Sequence, residues 1–139
     1  MSYGDELLAI ESRFSATWVK IVNGASVART PVEYANVRFP MPKQEPWVRL
    51  SVLPGAAFLV SMGPTKLYRN PGIIDIGIFN VIGTASKDAL ALADAAAAIF
   101  RGVQFSGISC RAPGIVVLGV LLGWYQITVS VPYHRDELL

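Results

Sequence analysis

Charge is scarce in this sequence. Only 16% of the 139 residues are Asp, Glu, Lys or Arg, and the formal net charge is +2. The 12 basic residues are scattered from Arg13 to Arg135 without a cluster, so there is no electrostatic footprint for nucleic-acid binding. Cysteine occurs once, at Cys110, which excludes an intrachain disulfide and any multi-cysteine zinc site. A lone cysteine of this kind reads as a buried, inert thiol. Histidine also occurs once, at His134, beside Arg135, Asp136 and Glu137 near the C-terminus. It reads as a solvated residue, because a Ser-His-Asp site needs its base held rigidly by a third group.

Other signatures are missing too. The N-terminus lacks a basic n-region, and Asp5, Glu6 and Glu11 interrupt any apolar run, unlike a signal peptide. Gly72 and Gly77 have P-loop spacing without the lysine and Ser/Thr that a P-loop requires, and no dinucleotide fingerprint occurs. Asp88 and Asp94 are six apart and so lie on different sectors of a helix. No catalytic residue, cofactor site or metal site is expected from these patterns, and the protein is not expected to be an enzyme.

What the chain has in quantity is apolar residues, 53% of the total, enough for one domain over 1–139 with a real core. The central stretch is Gly72–Arg101. Ile74, Ile76, Ile78 and Ile82 share one side of a two-residue period broken only by Asn80, while Asp75, Gly77 and Phe79 face the other way. A helix follows. Ser86 is a suitable N-cap, Asp88 puts an anion in the first turn, and Gly102 is a natural C′ residue after Arg101. Ala89, Leu92, Ala93, Ala96, Ile99 and Phe100 make its apolar stripe, small enough at the centre to lie close on a sheet.

The flanking segments complete that layer pair. Ser2 to about Lys20 reads as a first helix, with Ser2 and Asp5 in a capping-box pattern and Asn23-Gly24 as its stop. Val27–Tyr34 is a short strand weakened by Pro31, and Trp47–Leu53 and Phe58–Met62 are alternating strands. Pro71-Gly72 then leads into the central strand. From Ala112 to Tyr133 there is no charge, a length that could span a membrane as a helix. Gly114, Gly119 and Gly123 interrupt it, however. Tyr125, Ile127, Val129 and Val131 also alternate with Trp124, Gln126, Thr128 and Ser130, as in a half-buried strand. Two strands turning near Leu122-Gly123 are expected. The fold class is α+β: a mainly antiparallel sheet of about five to seven strands with two helices packed on it.

Large apolar groups fall on both strand faces. Phe79 and Val81 oppose the isoleucine row, and Phe58, Val60 and Met62 oppose Leu59. That is expected of a subunit burying a second face against copies of itself or another protein. Phe58, Val60, Met62, Leu67 and Tyr68 lie on an extended hairpin that would reach a neighbour. With Phe79 they are the candidate interface.

Several segments together resemble a known family. They are the opening helix, Asn36-Val37-Arg38-Phe39-Pro40, the strand Pro46–Pro54, Tyr68-Arg69-Asn70-Pro71-Gly72, and the alanine-rich helix Ala89–Ala95. Over most of residues 2–133 the chain resembles the tail terminator proteins of long-tailed phages and prophages. The resemblance implies an α+β fold and a ring, commonly a hexamer, on the last ring of the tail tube. Such a ring stops tube polymerisation and provides the docking surface for the head connector. Its partners would be copies of itself, the tail tube protein and a head-side connector or stopper protein. DNA would only pass through the ring, and no membrane is involved. The implied location is the head–tail junction of the virion, after assembly in the host cytoplasm. A head-closure or connector adaptor is the alternative in the same setting, and a membrane-associated protein using Ala112–Tyr133 is a more distant one.

Overall fold

The computed structural model describes residues 2–61, 63–83 and 86–138. Among these residues are two helices and ten strands. The helices are α1 (Tyr3–Thr17) and α2 (Ser86–Phe100). The strands are β1 (Val19–Val22), β2 (Ala25–Ala28), β3 (Val32–Glu33), β4 (Trp47–Pro54), β5 (Phe58–Ser61), β6 (Leu67–Asn80), β7 (Gln104–Phe105), β8 (Ile108–Cys110), β9 (Gly114–Leu121) and β10 (Trp124–Leu138). The α+β class holds. The strand number exceeds the expected five to seven, and the sheet is mixed because β3 pairs with β4 in parallel. The extra strands are short, two to four residues, and a two-period pattern cannot show itself over that length.

The backbone of the fold is one long antiparallel ladder. β6 and β10 pair continuously from Leu67↔Leu138 to Asn80↔Tyr125. Each long strand then takes two shorter partners on its free side. β4 covers the later part of β6 and β5 its beginning, while β9 covers the beginning of β10 and β8 its later part. The main path is β3-β4-β6-β10-β8-β7. Pro71 does not stand ahead of the central strand, as its sequence suggested, but lies within β6. It sits where β6 passes from β5 to β4, and its carbonyl accepts a 2.8 Å bond from the Gly55 N–H. A missing N–H is tolerated at such a junction. Gly72 beside it is required for packing: any Cβ there would run into the Tyr133 ring on the facing strand.

Both helices cover one face of the sheet. Ile74, Ile76 and Ile78 of β6 pack with Val48 and Leu50 of β4 and with Ile127, Val129, Val131 and Tyr133 of β10. Ile10, Phe14 and Trp18 descend on them from the α1 side, and Ala89, Ala93, Ala96, Ala97, Ile99 and Phe100 from α2. The alanines let α2 approach closely, as their spacing implied. Ile82 lies beyond the end of β6 and is exposed, so the isoleucine row stops at Ile78. Ser2 forms the capping box with Asp5. Gly102 takes the left-handed conformation, φ 59°, after α2. Ser86 is the first helical residue of α2. Arg13 links the helices by donating from Nε to the Ile99 carbonyl at 3.0 Å.

Two expectations at the chain ends are corrected. α1 stops at Thr17, not Lys20, and Asn23-Gly24 turns a β1–β2 hairpin. Positive φ at both residues, 52° and 79°, is the primed hairpin turn that Asn-Gly favours. The β-branched Val19, Ile21 and Val22 prefer a strand to a further helical turn. At the other end His134 is not a solvated terminal residue. It sits half-buried within β10, between Pro71 and Ser109.

Candidate assembly surface

The middle of the sheet's second face is polar. Ser51, Asp75 and Ser130 form one cross-strand row, and Arg49, Gly77 and Thr128 the next. At one end of this face Trp47, Phe79 and Trp124 make a separate small core, closed by Phe39 and Val81. Trp47 and Phe79 stack at 4.0 Å between ring centroids. The Arg49 guanidinium lies over both rings. Burial pushes the Asp75 carboxyl above its ordinary value, and the Arg49 charge pulls the other way.

Beyond the polar rows Leu53 and Ile73 are exposed side by side on this face, and further apolar surface lies on strand edges. Of the six residues singled out from the sequence, Phe58 and Val60 stand exposed on β5, together with Leu59. Leu67 and Tyr68 are half-buried beside them on β6, opposite Ser61 and Leu59. Val60 is the extra residue of a bulge in this pairing. Phe79 is set apart from these and buried within the protomer on Trp47. Met62 lies outside the described residues. The hairpin is flanked by one surface ion pair, Arg69 with Asp136 at 2.8 Å and 3.0 Å. The Arg69 hydrogen bonds hold the Asp136 carboxyl below its usual range.

A larger apolar edge escaped sequence reasoning. Among the described residues β9 pairs only with β10, and its other edge is open. Ile115, Val116, Val117, Leu118, Val120 and Leu121 are all exposed, on both sides of the strand. The signal was present: an apolar run without alternation belongs to a strand covered on both faces, yet among the described residues both faces of this one are exposed. At the hairpin tip Leu122 takes φ 53° and is 96% exposed. A leucine is an uncommon occupant of that conformation. A third apolar projection is the β1–β2 hairpin, with Ile21 and Val22 exposed.

No group of three or more His, Cys, Asp or Glu side chains among the described residues is placed to hold a metal ion. No helix among them is long and apolar enough to cross a membrane, and the uncharged Ala112–Tyr133 run forms the β9–β10 hairpin. The sequence model of a family described as "Phage tail terminator protein" matches residues 7–133. The chain belongs to the phage tail terminator family. No curated protein gives a significant match. Family membership gives the chain a structural role in the phage tail.

Proposed function

We propose that this tail terminator closes into a ring of six subunits on the last ring of the tail tube. There it ends tube polymerisation and offers its outer face to the head-side connector or stopper. The observation that carries the reading is the family match across residues 7–133. The exposed edges of β5 and β9 support it, because a protomer with such edges is soluble and ordered best when they are covered. The role is assembly rather than catalysis, at the head–tail junction, after assembly in the host cytoplasm. DNA is a passenger: the scattered basic residues suit a channel that does not grip phosphates.

The test is direct. The purified chain, alone and mixed with its tail tube protein, is sized by light scattering and imaged by electron microscopy. Rings, and tubes bearing a ring at one end with growth halted, are expected. A chain that remains monomeric and leaves tube growth unchanged would overturn the reading.

A further inference from the structure

We propose that the open edge of β9 pairs with the open edge of β5 from a second copy of this chain, so that one sheet continues from subunit to subunit. This rests on the ring reading above and names the contact that builds the ring. A ring needs a heterologous interface, with two different patches on different sides of the protomer. β5 and β9 meet that need. They lie on opposite flanks of the β6–β10 ladder, β5 beside β6 and β9 beside β10.

The two edges also match in chemistry. No charged residue occurs from Ser51 to Thr65 around β5, nor from Ala112 to Tyr133 around β9. Natural edge strands exposed to water carry lysine, proline or a bulge, or are very short. β9 runs for eight residues without lysine or proline, and its bulge lies beyond Gly114–Val117, a regular stretch the length of β5, whose own bulge is at Val60. Each edge therefore covers the other without stripping water from a charge. The remaining edges fit less well: β3 and β7 are two residues each, β3 carries Glu33 in an ion pair with Arg49, and the part of β4 beyond β3 ends in Pro54. Pairing β9 with another β9 would leave β5 bare and close a dimer.

Disulfide trapping tests the contact on the full chain. Cys110 can stay, since it is buried and burial pushes its thiol up to about 11. Cysteines replacing Phe58, Leu59 or Val60 are combined in turn with Val116→Cys or Val117→Cys, to find the register that brings Cβ atoms to about 3.8 Å. The expected result is that at least one double variant, mildly oxidised, gives a ladder of covalent multimers up to the ring, while its single variants give none beyond a dimer. Val117→Lys, an exposed substitution, is expected to keep the melting temperature and reduce the particle mass to that of the protomer. If light scattering shows a ring but no double variant gives a ladder, or Val117→Lys leaves the ring intact, the contact is elsewhere and the ring reading stands. If Val117→Cys alone gives dimers as readily as the double variant, β9 pairs with itself and the proposal is overturned. If the unaltered chain forms no ring, alone or on tail tubes, both readings fall together.

Discussion

Glu6 and Arg135 meet in the dry interior where α1 crosses the end of β10. Each is at most 2% exposed, and Arg135 Nε donates to Glu6 Oε1 at 3.3 Å. Arg135 also reaches Glu137 at 3.4 Å and lies over the Tyr3 ring. Removing one member of a buried pair leaves the other charge short of a partner, which costs about 3 kcal/mol. Glu6→Ala is therefore expected to lose about that much in urea unfolding, and replacing both residues by leucine is expected to recover a large part of it. Asp75 behaves oppositely. Its folded pKa lies above its unfolded value because burial disfavours the charge. The folded state thus holds this proton to higher pH, and the carboxyl's contribution to stability is lost as pH rises through the raised value. Asp75→Asn is expected to raise the melting temperature at neutral pH and to flatten its decline between acid and neutral pH. Leu122 gives a third prediction. At φ 53° a leucine carries a penalty that asparagine largely avoids. Leu122→Asn is expected to stabilise the protomer by about 1 kcal/mol, read by the same unfolding curves. No gain would mean the turn relaxes around leucine without strain.

The elements differ in how plainly the sequence announced them. α2 is the clearest case, since its alanines, acidic first turn and Gly102 all point to one helix lying close on a sheet. That closeness is testable: Ala93 is fully buried, and Ala93→Leu is expected to cost about 1–3 kcal/mol by forcing α2 outward. An unchanged midpoint would mean the layer has room to spare. β10 was legible through its strict alternation from Trp124 to Val131, because the helices cover only one face of it. The β1–β2 hairpin was not, because Asn-Gly is both a helix terminator and a hairpin turn, and only the β-branched residues before it decide between them. Pro71 misled for a related reason. Whether a proline breaks a strand depends on which neighbour its missing N–H would have met, and that is a property of the sheet. The hairpin of Phe58, Val60, Leu67 and Tyr68 was legible as an element. The β9 edge was only half legible: the unbroken apolar run was visible, but a residue pattern reports the faces of a strand and not which edge stays unpaired.

At the scale of the whole molecule, one face of the sheet is sealed by helices, and the other is polar in its middle, with Leu53 and Ile73 exposed beyond the polar rows. Much of the remaining exposed apolar surface is on strand edges and hairpin tips. Open apolar strand edges favour sideways association. Sideways association of identical subunits through two different edges gives a ring if the rotation closes and a filament if it does not. The proposed ring requires closure. The most direct measurement is therefore the mass and shape of the particle that the chain forms on the end of a tail tube, by light scattering and electron microscopy. A closed six-fold ring at one end of tubes that have ceased to grow is the expected result. Monomers that leave the tubes growing, or open filaments of this chain, would contradict the account.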